Sequence, residues 1–412
     1  MTRSEPDSCP GVLRLHRAAD GPLARIRLPG GLLRPDQLRA LAEAARELGD
    51  GAIELTSRGN VQLRRMRDAD ALAARLAAAD LLPSPTHERV RNIVASPLSG
   101  RVGGRTDVQQ LVPLLDAQLR AAPRLAELPG RVLFTLDDGR GDVSGLGGDL
   151  GIHATDAEAY ALLLGGRDSG IRLGRAEVLP VLVAAAHVFQ DLRGDHWRLH
   201  EIPHGAARIV AALGLAPTAE PVELPVRHDI PVGWFTQADD RVALGAGVPL
   251  GSLPARTAEF LTAVDRPILI TPWRSLIVPD LDEWAAEQVV RVLAPMGLIF
   301  DAESPWLLVT ACAGKPGCAK SHTDVRVDAA TAVASGRVHD DGPVLPSETN
   351  GNAAYPTSTT PAPGAELPAE RIVATGRQHW SGCDRRCGRP RGPVTDIVAT
   401  PTGYRVEPPR GA

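Results

Sequence analysis

Apolar positions in this chain recur with two different periods, and the switches between them mark out its elements. From Leu23 to Leu28 the run is short and extended in character. From Pro35 onward Leu38, Leu41, Ala45 and Leu48 line one helical face, and Gly49 stops the helix. Ala52 to Leu55 and Val61 to Leu63 form two extended runs broken by an Arg58-Gly59-Asn60 turn, and a second helix is predicted over Ala69 to Leu81. The order is β-α-β-β-α.

The pattern returns in the second half. Val242 to Leu244 reads as a strand, Ala255 to Ala263 as a helix, and Ile268 to Val278 as two extended runs around a Pro272-Trp273-Arg274 turn. A helix over Leu281 to Leu293 follows, and Leu298 and Ile299 resume an extended segment. Thr56 and Thr271 are expected at matching places, as are Arg58 and Arg274. The fold class expected is α+β, with duplicated ferredoxin-like halves related by pseudo-twofold symmetry. Each half precedes a further α/β segment, so the boundaries fall at 1–84, 85–222, 223–302 and 303–412. In the segment after the first half, Val132 to Leu136 and Gly151 to His153 are strand candidates, and Ala157 to Leu164 and Val178 to Leu192 are read as helices. Between His339 and Glu370 the chain is dense in Pro, Ser, Thr, Gly and Asn, which predicts a solvent-exposed insertion at about 340–370.

Composition narrows the classes. The chain has 412 residues, 43% of them hydrophobic, and a net charge of -4, so nothing in it suggests nucleic acid as a partner. No apolar run approaches the roughly 20 residues that cross a bilayer. The polar stretch Met1 to Pro10 lacks the apolar core of a secretory signal, so a cytoplasmic location is expected. Positive charge is carried almost wholly by arginine, since Lys315 and Lys320 are the only lysines. Arginine forks bind carboxylates bidentately.

Cysteine spacing adds chemistry. Cys312 and Cys318 form a C-x5-C loop and Cys383 and Cys387 a C-x3-C loop, with Gly314, Gly317, Gly382 and Gly388 giving the backbone room to wrap. Two short thiolate pairs are what a 4Fe-4S cluster needs at its four corners. Structural zinc more often takes spacers of two or four residues, and a disulfide framework suits an exported chain; both remain as competing readings. Cys9 reads as a free thiol. His196, His200 and His204 could line a helical face, although Pro203 interrupts it, and Asp137, Asp138 and Asp142 could hold a metal or form a solvated turn. Gly145, Gly147, Gly148 and Gly151 lack the G-x-G-x-x-G order before a helix, so they mark no nicotinamide site; they would let backbone approach a flat ligand.

The repeat, the arginine-bearing turn and the cysteine spacing together resemble the sirohaem-dependent nitrite and sulfite reductases. Leu55 to Arg64 is similar to that family's first tetrapyrrole-contacting segment and Val90-Arg91-Asn92-Ile93 to its second. Within the family, Cys9 to Leu15, Leu136 to Val143 and Thr271-Pro272-Trp273-Arg274 resemble the precorrin-3B synthase branch. The resemblance implies a monooxygenase taking precorrin-3A to precorrin-3B by hydroxylation at C-20 and lactone formation. It also implies a 4Fe-4S cluster on the four cysteines, a mononuclear non-haem iron, dioxygen, and an external electron donor such as a ferredoxin or reductase. Tetrapyrrole contacts fall to Arg58, Arg91, Arg131 and Arg274, with Asn60 and Asn92 in the same segments. Where the reductases carry Lys-x-Lys, this chain has Arg131 and Leu133. The alternatives are a sirohaem-dependent nitrite or sulfite reductase, with Cys387 bridging cluster and sirohaem, and a non-catalytic tetrapyrrole-binding sensor.

Overall fold

The structure, a computed structural model, describes residues 7, 9–227, 229–340 and 366–409. Most of the expected insertion, residues 341–365, lies outside the described residues. The chain divides into two compact units, Met1–Arg17 with Pro22–Phe300, and Ala18–Gly21 with Asp301–Ala412.

Two of the first unit's three sheets are built by mutual exchange. One runs in the order His16–Ala18, Gly21–Ile26, Val61–Leu63, Ala52–Leu55, Ser252–Pro254; the other runs Gly233–Thr236, Val242–Gly247, Ser275–Leu281, Ile268–Ile270, Leu32–Leu33. Ser252 pairs opposite Glu54, and Leu33 opposite Ile268, so each half lends the other its edge strand. The exchange follows from one local motif used twice. Leu28-Pro29-Gly30-Gly31 and Val248-Pro249-Leu250-Gly251 each form a tight turn closed by the last residue's amide, at 2.8 Å from Leu28 O and Val248 O. Gly31 (φ 74°) must be glycine, because a Cβ there would overlap the Ile270 carbonyl oxygen. Helices Pro35–Leu48, Ala69–Ala78, Ala255–Thr262 and Glu283–Leu293 cover these sheets, and their apolar faces share one core with both, including Leu41, Ile53, Leu63, Leu253, Leu261 and Leu276. The stretches expected at 1–84 and 223–302 therefore bury a single common interior.

The third sheet is ordered Arg167–Gly174, Ala159–Leu164, Leu150–Ala154, Phe134–Asp137, Ile93–Ala95, its last three strands parallel. Ala157 to Leu164, read from the sequence as a helix, is here the strand Ala159–Leu164. Tyr160 to Leu164 are buried, and Gly165 and Gly166, both left-handed, turn the chain back into Arg167–Gly174. A short apolar run closed by two glycines suits an interior strand, whereas a helix of that length would need a polar face. Helix Arg175–Leu192 takes the place expected for Val178 to Leu192, with Pro180 near its start.

In the second unit a sheet ordered Val309–Ala311, Gln378–Ser381, Thr395–Ala399, Tyr404–Glu407, Glu366–Leu367 surrounds the fully buried Trp380, whose ring meets Tyr404 edge-on at 5.3 Å. Helix Val325–Ala334 is capped by the Asp324 carboxylate, which accepts from the amides of Arg326 and Val327.

Candidate functional site

The strands Val309–Ala311 and Gln378–Ser381 lie side by side and parallel, with Ala311 opposite Trp380. Both chains therefore leave the sheet at the same end, and each runs at once into a cysteine loop. The loops touch: the Gly382 amide donates to Cys312 Sγ at 3.2 Å, and the His322 amide donates to Gly382 O at 2.9 Å. Gly382 has no room for a Cβ, which would strike Ser321 Oγ. The Cys387 thiol is pushed up by burial and then by the charges of Cys312, Cys383 and Cys318, so all four sulfurs share one electrostatic neighbourhood. Four thiols gathered from two touching loops are the donor set that a cubane cluster takes, one thiolate at each iron. Elsewhere, the carboxylates of Asp137, Asp138 and Asp142 bring ligand atoms within 4.8 Å of one another.

The first unit gathers arginines. Strand Gly21–Ile26 and the residue after it carry Arg25 and Arg27 on one face; the turn after Ala52–Leu55 brings Arg58; the segment leading into Phe134–Asp137 brings Arg131. Burial first, and then Arg25, hold the Arg27 guanidinium down to about 9; burial and the neighbouring Arg198 hold Arg58 down to about 10. Arg25 is lowered by burial, with Arg131 adding to it. Like charges crowd this place. Buried Arg27 Nη1 and Arg25 Nε have no hydrogen-bond partner among the described residues. An N–H without a partner in the interior costs about 1–3 kcal/mol, which an acidic ligand bonding these two atoms would offset. Arg131 is half-exposed, 3.9 Å from Asp7 and stacked 4.6 Å over the Trp197 ring.

An N-terminal strap lies against the arginines. Glu88 accepts from the amides of Val12 and Leu13 at 2.5 and 3.1 Å, Arg27 Nη2 donates to Pro10 O, and Asp7 accepts from the amides of Cys9 and Gly130. Cys9, expected as a free thiol, is thereby held beside Gly130, and its pKa is raised by burial and then by Asp7.

Other expected residues are spent on structure. Arg91 is buried, and its Nε and Nη2 close on Asp116 at 2.6 and 3.0 Å, which holds the guanidinium as a strut. Asn60 accepts from Leu28 N and donates to Asn92, which donates in turn to Gly130 O and Val132 O; these two amides brace the loops that carry Arg58 and Arg131. Arg274 lays its stem over Gly251. His196, His200 and His204 share no helix, because Leu199–Glu201 is a 3-10 turn and His204 is left-handed at φ 54° before helix Gly205–Ala212. Asp137 already accepts four amide hydrogen bonds, from Gly139, Gly141, Val143 and Ser144, and Asp138 is gripped by Arg140. That set does not fit a metal. Gly148 and Gly151 give room to Thr135 rather than to a ligand.

Arg25, Arg27 and Arg198 were not picked out from the sequence. Two arginines two residues apart in a strand otherwise apolar were the available signal for the first pair. Arg198 has no such mark; it reaches the site by clasping Asp149 at 2.8 and 2.9 Å from a loop.

Residues 16–79 match the family model described as the nitrite/sulfite reductase ferredoxin-like half domain. A precorrin-3B synthase of a Sinorhizobium species is 25% identical, the match covering 96% of this chain and 81% of that one. The chain is a precorrin-3B synthase homologue. A ferredoxin–nitrite reductase of Synechococcus elongatus is 33% identical across 32% of the homologue and 26% of the reductase. One from Leptolyngbya laminosa is 38% identical across 19% and 16%. The solved structure of the Mycobacterium tuberculosis NirA protein superposes with a TM-score of 0.71 at 19% identity, covering 93% of the homologue and 74% of NirA, so the two share an α+β fold. No helix among the described residues is long and apolar enough to cross a membrane.

Proposed function

We propose that this homologue is an iron–sulfur oxidoreductase that takes precorrin-3A to precorrin-3B with dioxygen, on a scaffold made by duplicating one ferredoxin-like half. One oxygen atom enters the macrocycle at C-20, which closes a lactone with a ring acetate; the other leaves as water, with two electrons and two protons consumed. The observation that carries the reading against its rivals is the surroundings of Leu133. In the reductases the resemblance places a second lysine there; here Leu133 is buried among Val94, Val143, Leu146 and Trp273. An oxyanion reduced by six electrons needs repeated proton delivery and a cationic cage. Leu133, buried with Val94 and Val143, supplies no proton at that position.

Cys312, Cys318, Cys383 and Cys387 would hold the 4Fe-4S cluster, which when bound supplies electrons one at a time. No side-chain set among the described residues fits the second iron that the resemblance implies, so no step is assigned to it. Arg25, Arg27, Arg58 and Arg131 bind the acetate and propionate arms and fix the ring's orientation. Asn60 and Asn92 keep the arginine-bearing loops in register. The electron donor is a separate ferredoxin or reductase.

Absorption and product analysis test this together. Anaerobically purified protein is expected to show a broad cluster shoulder without a sirohaem spectrum, and to consume oxygen with precorrin-3A and a reductant, giving a product heavier by one oxygen. Stoichiometric sirohaem with nitrite or sulfite turnover would favour the reductase; cluster without turnover of either kind would favour the sensor.

A further inference from the structure

Two turns in the first unit share two hydrogen bonds and a left-handed residue at the same place. Thr56 N donates to Asn60 O and Thr271 N to Ser275 O, each at 2.9 Å. The amide of Arg58 donates to Thr56 Oγ1 at 3.4 Å, and that of Trp273 to Thr271 Oγ1 at 3.2 Å. The next residue is left-handed in both, Gly59 at φ 64° and Arg274 at φ 58°. By this register Arg58 corresponds to Trp273, and Arg274 to Gly59; the expected pairing of Arg58 with Arg274 is off by one residue. The slip arises because arginine and glycine share no side-chain pattern, whereas the backbone conformation they adopt is the same.

At the shared position the first turn presents a cation beside Arg198, Arg25 and Arg27, and the second presents a half-buried indole packed against the cluster of Val94, Leu133 and Val143. The two are linked through Asp149, whose carboxylate accepts from the Leu133 amide at 2.9 Å and grips Arg198. A flat conjugated ring with carboxylate arms calls for both kinds of contact. A small oxyanion calls for the cations alone.

We propose that Trp273 is the residue that stacks on the macrocycle, and that it sets the preference for a flat conjugated ligand over a small anion. The proposal rests on the tetrapyrrole reading above. Stacking and ion pairing respond differently to salt, since screening weakens the second and leaves the first.

The test uses the full chain and the octacarboxylic porphyrin uroporphyrin, titrated by fluorescence at low and high ionic strength. Trp273→Leu keeps apolar bulk in the cluster, and its affinity is expected to fall about ten-fold at both ionic strengths, with Trp273→Phe recovering most of the loss. Arg58→Ala is expected to lose affinity chiefly at low salt. Sulfite binding should be unchanged in Trp273→Leu. Circular dichroism and thermal melting confirm that each variant folds. Wild-type affinity in Trp273→Leu, with the wild type binding the porphyrin, would overturn the role of Trp273 alone. A wild type that binds no macrocycle would overturn the tetrapyrrole reading and the proposal with it.

Discussion

A guanidinium in this protein is a binding group or a strut according to the carboxylate beside it. Arg91 closes on Asp116, while Arg58 stands among other arginines and has no ion pair with a described residue. Asp142 poses the same question for an acid. Burial, and then the nearby Asp137, push its carboxyl up to about 7, although Ser96 Oγ donates to it at 2.6 Å. Because that value lies above the ordinary 3.8, the fold keeps a proton that the unfolded chain releases, so this group's contribution to stability falls as pH rises from about 4 to about 7 and is flat above. Asp142→Asn is therefore expected to stabilise the protein by about 1–3 kcal/mol at pH 8 and to leave stability unchanged near pH 4, as read by urea unfolding at both pH values. Residue type and motif context pointed to Arg58, but the same context pointed to Arg91, because a partner 25 positions away in sequence is invisible to a local pattern.

At the scale of elements, periodicity located the α-helices of residues 1–84 and 223–302 and the strands between them, but not the strands His16–Ala18, Leu32–Leu33, Gly233–Thr236 and Ser252–Pro254. It could not say which sheet Leu32–Leu33 or Ser252–Pro254 would join, since a two- or three-residue edge carries no register of its own. The exchange depends on the turns that deliver those edges, and a glycine inside one of them can be compared with a left-handed glycine outside both. Gly31→Ala drives a Cβ into the Ile270 carbonyl and is expected to cost about 2–4 kcal/mol. Gly51→Ala, at φ 90° with open space around it, is expected to cost only about 1 kcal/mol of backbone strain. Chemical denaturation of the two variants measures the difference. The helix reading of Ala157 to Leu164 failed for a related reason: a short apolar run has no period to read once both of its faces are buried.

Over the whole molecule the two chemistries sit in different units. The four cysteines proposed to hold a cluster belong to Asp301–Ala412, and the arginines belong to Pro22–Phe300. Cys312→Ser and Cys383→Ser are accordingly expected to bring iron and acid-labile sulfide down to background while uroporphyrin affinity stays within about two-fold of wild type, because the cysteines and the arginines belong to different compact units. Metal analysis and the same fluorescence titration check both halves of that statement.

Sequence alone determined the α+β class, the repeated order of elements and the four thiols, because periodicity, turn residues and cysteine spacing are local properties. Tertiary structure decided which arginines keep an open fork, that two strands trade sheets, and that Trp273 rather than Arg274 answers to Arg58. Those outcomes depend on groups distant in sequence meeting in space, and on backbone conformations that different side chains can share.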